Sequence, residues 1–290
     1  MDNHWQNKLK TEKETANKQK GRHIPTSNQK LSKNEIKLLI NGLKDENGLV
    51  RRSHSEALAQ IGKAALPELT NVLLNSKDVI QRRAAAKTLK LVGDPATLPH
   101  LVKALTNDSD YVVQFSSAGA IAIFGETAVN HLIVILASQE HTEMQYGLAA
   151  WCLEFIGAKA PNAIKRAAKS KNNNVKSASI SALEQIIRQA QDQEAIKLVE
   201  SAINDTCENV QVEAIKLVGK LDRIESLIPS LISKLKNNSP DIRKASVLSL
   251  MQLNINEAIS PLKDLLKIEQ DQNVRAIIKL AIKRIDNQNT

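Results

Sequence analysis

One pattern of about 32 residues repeats along most of this chain. Gly62, Gly93, Gly125 and Gly157 follow one another at intervals of 31, 32 and 32 residues, and each ends a segment whose apolar residues have helical spacing. The later repeats lack this glycine but keep the apolar positions. Because such a repeat holds a single helical hairpin, it can bury its apolar face only against the next hairpin.

The second helix of each hairpin has a fixed register. We number it from position 0, which is occupied by Val50, Gln81, Val113, Gln145, Val175, Val210, Ile242 and Val274. Apolar residues recur at positions 0, 4, 7, 8 and 11, which lie on one helix face, and positions 4 and 7 are mostly small. The pattern predicts an all-α fold, a right-handed α-solenoid of about eight helical hairpins.

The first 33 residues differ from the rest. They hold eight basic residues against three acidic ones, a net charge of +5, which leaves +4 of the total +9 for the repeats. Trp5 is their one large apolar anchor, so we predict a basic, disordered tail over 1–33 and a solenoid over 34–290. The nearly balanced charge of the repeats makes nucleic acid an unexpected partner.

The repeats resemble HEAT repeats, and in particular the short form found in phycobilisome bilin lyases of the E/F type. The resemblance covers about residues 34–286. The segment Tyr146-Gly147-Leu148-Ala149-Ala150-Trp151-Cys152-Leu153 is similar to the Tyr-x-x-Ala-Ala-Trp-x-Leu segment of those lyases. Where those proteins often carry a second aromatic residue, this chain has Gly147 and Cys152.

Positions 2, 6 and 9 point away from the apolar face, towards the concave surface on which such stacks bind partners. Repeats 1 and 2 are largely basic there, with Arg52, Glu56, Ala59, Arg83, Lys87 and Lys90. Repeats 3 and 4 place aromatic, small and acidic residues there, namely Phe115, Gly119, Ala122, Gly147, Trp151 and Glu154. Repeat 7 adds Leu248 and Met251. A basic strip is therefore predicted beside an aromatic patch.

Phe115 and Trp151 have two interpretations: a binding surface, or rings that pack against neighbouring turns. For a bilin, the resemblance implies rings stacked on Trp151 and Phe115, with Tyr146 nearby. Its propionates would pair with Arg52, Arg83 or Lys87.

Two carboxylates precede the third repeat's second helix. Asp108 and Asp110 could assist protonation of a bilin, but the alternative that we favour for Asp110 is a helix N-cap. Cys152 falls among the small core positions and predicts a buried, inert thiol, whereas Cys207 lies in a turn and could be exposed. The two cysteines lie far apart without a histidine cluster, and the chain contains no His-Glu dipeptide, so we expect no metal site.

The resemblance implies a lyase, or a chaperone-like partner, that attaches a bilin through a thioether bond to a cysteine of a phycobiliprotein subunit. The bilin, phycocyanobilin or phycoerythrobilin, would be a substrate rather than a permanent cofactor, and a second HEAT-repeat subunit could complete the site. The alternative is a non-catalytic scaffold that binds a protein in its concave groove. With no long apolar run and no disulfide pattern, we expect a soluble, cytoplasmic protein without membrane contact.

Overall fold

The computed structural model describes residues 32–221 and 225–287. The predicted disordered tail therefore lies outside the described residues, apart from Ser32 and Lys33. The described residues form α-helices and short 3-10 turns, without a strand. None of these helices is long and apolar enough to cross a membrane. The chain divides into two compact units, Met1–Thr97 and Leu98–Thr290.

The first unit contains two helical hairpins. Its helices are α1 (Lys33–Gly42), α2 (Gly48–Ile61), α3 (Leu66–Asn75) and α4 (Val79–Val92). Ser32 begins α1 with a capping box, in which its hydroxyl and the Glu35 side chain each accept from the other's backbone N–H. Helix α2 packs on α4, so the two second helices form the internal contact of this unit.

The second unit continues the same alternation through six hairpins. Its helices are α5 (Leu98–Asn107), α6 (Tyr111–Ile121), α7 (Glu126–Ala137), α8 (Glu143–Ile156), α9 (Pro161–Ala167), α10 (Asn173–Ser181), α11 (Leu183–Ala190), α12 (Gln193–Ile203), α13 (Glu208–Lys220), α14 (Ile228–Lys234), α15 (Pro240–Gln252), α16 (Ile259–Ile268) and α17 (Gln272–Asn287). Successive second helices contact each other, as α6 does α8, α13 does α15 and α15 does α17.

Burial confirms the predicted register. At position 8, Ile282 of the eighth repeat is half-buried. The residues at this position in the first seven repeats are fully buried, namely Leu58, Leu89, Ile121, Leu153, Leu183, Val218 and Leu250. Small residues at position 4 are buried with them, as in Ala85, Ala149, Ala214 and Ser246. The core is therefore a series of contacts between neighbouring hairpins.

The predicted helix ends are also confirmed at the four repeat glycines. Their φ angles are 67°, 67°, 57° and 33°, a region that side chains rarely adopt. The fifth repeat has Ile187 where the glycine would be. There the helical segment continues to Ala190 and is interrupted at Ala182, which divides it into α10 and α11, and Leu183, Ile186 and Ile187 are buried.

Hydrogen bonds between neighbouring repeats join two fixed positions of the second helices. A side chain at position 7 donates a hydrogen bond to an oxygen of the residue at position 5 in the preceding repeat. In the second unit Cys152 Sγ lies 3.2 Å from the Ala118 carbonyl and Ser249 Oγ lies 2.8 Å from that of Ile215. In the first unit Thr88 Oγ1 lies 2.9 Å from Ser55 Oγ. These bonds need close helix approach, which the small residues permit.

One such approach is at Gly219 of α13. A Cβ built on Gly219 would lie 2.8 Å from the Ser249 Cβ and 2.9 Å from its Cα. At Gly147 of α8, by contrast, a Cβ would meet no atom within 4 Å. The two glycines are therefore a matched pair with different packing.

We expect Gly219→Ala to destabilise the protein by about 1–3 kcal/mol, because the added methyl group would force α13 and α15 apart. Gly147→Ala should instead be neutral or stabilise by up to about 1 kcal/mol, since alanine favours a helix over glycine. Urea unfolding followed by circular dichroism measures both. Equal effects at the two positions would contradict this packing.

Candidate functional site

Three aromatic rings form a partly exposed cluster on α6 and α8. The Phe115 and Trp151 ring centroids lie 5.6 Å apart, and those of Trp151 and Phe155 lie 5.8 Å apart, with tilted planes in both pairs. The exposed fractions are 53% for Phe115, 37% for Trp151 and 49% for Phe155. The rings thus pack on one another and still present large faces to solvent, so packing accounts for part of their surface and a binding role of Phe115 and Trp151 stays a prediction. We call these three residues the aromatic cluster.

The surface beside the aromatic cluster is open. Gly147 lies one helical turn before Trp151 on the same face of α8, and it is exposed with free space where a side chain would be. Tyr111 on α6 and Met144 on α8 extend this apolar surface, with exposed fractions of 64% and 55%. Tyr111 lies four residues before Phe115 and Met144 seven residues before Trp151, so helical spacing places them on the same helix faces as these rings.

Ala122 departs from the predicted set. The helical wheel placed it on the exposed face, but it is buried. Ala122 begins the 3-10 turn Ala122–Phe124 that follows α6, and position 9 is also buried at Gly219 inside α13, so this position lies at the edge of the packed face. Gly119, in the same predicted set, is half-buried.

Tyr146 closes the turn before its own helix. Its hydroxyl donates a hydrogen bond to the Ser138 carbonyl, and its ring meets His141 edge-on with centroids 6.3 Å apart. Position 1 does the same in other repeats, where the donors to turn carbonyls are Arg51, Arg82, Gln114, Gln211, Arg243 and Arg275. The ring is half-buried, and a ligand contact by Tyr146 stays a prediction.

Asp108 and Asp110 also occupy recurring structural positions. Asp110 is the N-cap of α6 and accepts from the Val113 N–H at 3.0 Å, as the favoured interpretation predicts. Asp108 accepts from the Asp110 N–H at 2.9 Å. The equivalent positions of other repeats carry capping side chains such as Asp78, Thr142, Asn172 and Ser239. Their carboxylates are thus engaged with backbone N–H groups, and a catalytic role stays a prediction.

The predicted basic residues all belong to the first unit. Arg52 on α2 is exposed and forms a 2.7 Å ion pair with Glu56, one turn away, which raises its pKa through the hydrogen bond and the carboxylate charge. Arg83 and Lys87 lie one turn apart on α4, the first half-buried and the second exposed. Their predicted pairing with propionates stays a prediction.

Glu154 precedes Phe155 on α8. Burial is the main cause that raises the pKa of its carboxyl, and the nearby charges of Glu213 and Glu184 act in the same direction. The Lys220 ammonium opposes this shift. The carboxyl thus keeps its neutral form to a higher pH than an isolated glutamate does.

The two cysteines differ as predicted. Cys152 is fully buried, and burial raises the pKa of its thiol to about 12, so it is inert at neutral pH. Cys207 is half-buried at the start of α13 and forms no disulfide. In the described part of the chain, no three metal-ligating side chains come together.

Phe155 and Lys159 were missed by the sequence reasoning. Phe155 is at position 10, on the flank of the helix between the core and the exposed positions, and Lys159 lies beyond the helix in a 3-10 turn. The Lys159 Nζ lies over the Phe155 ring, 4.7 Å from its centroid. The spacing of four residues between Trp151 and Phe155 could have identified the latter.

Comparison with known proteins agrees with the repeat. A family profile described as HEAT repeats matches residues 36–122 and 196–283. The match to the solved structure of Kap121p spans 90% of this chain and 38% of the Kap121p chain, with 13% identity and a TM-score of 0.51. The complex of CpcE and CpcF of phycocyanin lyase from Nostoc sp. PCC7120 covers 86% of this chain and 99% of its own, with 17% identity and a TM-score of 0.30. The fold is thus that of a HEAT-repeat protein.

A closer relationship comes from the sequence. The chain is 39% identical to the bilin biosynthesis protein MpeU of Synechococcus sp. (strain WH8020) over 267 residues, which are 92% of this chain and 89% of MpeU. The chain belongs to the HEAT-repeat family of phycobilisome bilin lyases that its sequence resembles.

Tyr146→Phe should lower stability by about 1 kcal/mol, because it removes the hydroxyl donor and leaves the Ser138 carbonyl without this bond. Thermal unfolding measures the change. Tyr111→Phe is the matched control, since Tyr111 is largely exposed, and it should change little. Equal effects of the two variants would contradict the turn-closing role of Tyr146.

Glu154→Gln should stabilise the protein above neutral pH and have no effect in acid. A raised pKa means that the folded state disfavours the charged carboxylate, so the penalty appears as pH rises past the ordinary value of 4.5 and is complete above the raised one. We expect Tm to increase by less than about 3 °C at pH 8 and to be unchanged at pH 3. Glu200→Gln on α12 is an exposed control. A larger stabilisation at pH 3 than at pH 8 would contradict the raised pKa of Glu154.

Proposed function

We propose that this chain binds a linear tetrapyrrole bilin on the aromatic cluster and attaches it through a thioether bond to a cysteine of a phycobiliprotein subunit. Membership in the bilin lyase family supports the class of activity. The observation that carries the proposal is the exposed run of three rings beside Gly147. A conjugated tetrapyrrole offers flat faces for such a surface.

The aromatic cluster would hold the bilin by stacking. Aromatic contacts of this kind each contribute about 0.5–1.5 kcal/mol beyond the apolar area that they bury. Since Gly147 has no side chain, a flat ring could lie against the backbone of α8 next to Trp151. The tilted arrangement of the three rings suits a ligand whose own rings are not coplanar.

The chemical step itself would require little from the protein. The acceptor cysteine thiolate adds to the exocyclic double bond of ring A, so one C–S bond forms, one C–C π bond breaks, and a proton is added to the neighbouring carbon. Holding both reactants together supplies most of the acceleration in such additions. The chain would thus act by binding the bilin in one conformation and presenting it to the acceptor.

The partners follow from the same proposal. The acceptor is a phycobiliprotein subunit, and a second HEAT-repeat subunit could complete the assembly. Phycocyanobilin or phycoerythrobilin would be the substrate and would leave with the product. The chain would then hold no permanent cofactor.

Co-expression tests the proposal. The full chain, a phycobiliprotein subunit and the enzymes that make one bilin are produced together, and covalent chromophore is measured by fluorescence of the acceptor band on a denaturing gel. Trp151→Ala should reduce attachment by about tenfold, the equivalent of 1.4 kcal/mol of lost binding. Gly147→Leu should do so as well, because its side chain fills the open space while the core is untouched.

Val134→Ala is the matched control, since Val134 is an exposed apolar residue on α7, away from the aromatic cluster. It should leave attachment unchanged. If neither Trp151→Ala nor Gly147→Leu reduces attachment, the aromatic cluster is not the bilin site. If the acceptor binds without gaining chromophore under any bilin supply, the chain is a non-catalytic scaffold.

A further inference from the structure

Lys159 occupies the end of the aromatic cluster. It follows α8 in the 3-10 turn Gly157–Lys159, and its ammonium group is held over the face of Phe155. A cation above a ring at an exposed site is stabilised by about 0.5–1 kcal/mol, which is enough to favour one position for a long side chain. The charge is therefore located beside the rings rather than spread over the surface.

The charge of Lys159 lacks a carboxylate partner among the described residues. Other lysines of the second unit have one: Lys165 lies 2.8 Å from Asp192, Lys169 lies 2.7 Å from Glu194, and Lys176 lies 2.8 Å from Asp205. Since a ring face accepts no conventional hydrogen bond, the N–H donors of Lys159 stay available. An anion that reaches this point would form a charge-assisted hydrogen bond.

The neighbouring acid does not neutralise this charge. Glu154 lies one residue before Phe155, but the charges that affect its carboxyl belong to Lys220 on α13, Glu213 on α13 and Glu184 on α11. In the described part of the chain Glu154 and Lys159 form no ion pair, and the Lys159 ammonium lies over the Phe155 ring instead.

We infer that Phe155 and Lys159 form a carboxylate-binding subsite at the end of the aromatic cluster, which selects flat conjugated acids over their neutral esters. The inference rests on the proposed function, since it assumes that a conjugated ligand stacks on Phe115 and Trp151. It adds the recognition of a carboxylate on a short flexible arm, such as a propionate. Lys159 is a binding residue and takes no part in bond formation.

Fluorescence quenching of Trp151 tests the inference directly. The full chain carries two tryptophans, so Trp5→Phe leaves Trp151 as the single reporter. Biliverdin, a linear tetrapyrrole with two carboxylates, and its dimethyl ester are titrated in turn. We expect the free acid to bind about tenfold more tightly than the ester, a ratio typical of one hydrogen bond to a charged group.

Lys159→Gln should weaken binding of the acid about tenfold, to the level of the ester, and leave the ester unchanged. Lys159→Arg should keep the preference for the acid, because it keeps the charge. Lys197→Gln is the matched control, since Lys197 is an exposed lysine on α12, the first helix of its hairpin. It should change neither affinity.

Each outcome has a separate meaning. If acid and ester bind equally, or if Lys159→Gln leaves the acid unaffected, the carboxylate subsite is wrong while the aromatic cluster stands as a ligand site. If neither compound quenches Trp151, the proposed bilin site fails and the subsite fails with it. If Lys197→Gln weakens the acid as much as Lys159→Gln, the preference comes from overall charge, which also overturns the inference.

Discussion

The contact between second helices of neighbouring repeats is the interaction on which the rest of each unit depends. A single hairpin has too little apolar surface to be stable alone, so its burial must come from the next hairpin. Small residues at positions 4 and 7 let the helices approach closely, and Gly219 lies directly against Ser249. At this distance a position-7 side chain can bond to the preceding repeat, as Ser249 and Cys152 do. Packing and hydrogen bonding therefore favour the same register.

That register separates structural residues from candidate functional ones. A side chain whose role recurs in the same position of many repeats serves the fold, as Asp108, Asp110 and Tyr146 do, and any role of these three towards a bilin stays a prediction. Phe115 and Trp151 have no such counterparts. At position 2, where Phe115 stands, the other repeats carry polar, small or aliphatic residues. At position 6, where Trp151 stands, no other repeat carries an aromatic ring. Repetition thus identifies the aromatic cluster by contrast.

The sequence was sufficient for the repeated part of the structure. The spacing of apolar residues, the turn residues and the terminal glycines reflect contacts with neighbours in sequence or in the adjacent repeat. These features therefore predicted the helices, the buried positions and the helix ends. Prediction from the sequence failed where the helix geometry departs from an ideal helical wheel. The 3-10 turn that places Lys159 over Phe155 depends on backbone angles after the helix end, which a wheel with 100° per residue does not describe. In the fifth repeat the helix is interrupted at Ala182, within the segment that the pattern treats as one helix.

The aromatic cluster lies on an exposed face of α6 and α8. The core residues Ile121 and Leu153 of the same helices are fully buried, whereas the rings are partly exposed. Exchange of the rings would therefore remove the contact between Phe115 and Trp151 but leave the core contacts of the hairpins in place. Addition of a thiol to a conjugated double bond depends mainly on how the two reactants are held. An exposed aromatic surface with a cation at one end meets that requirement, because stacking orients the flat part of a ligand and the charge limits how it can slide.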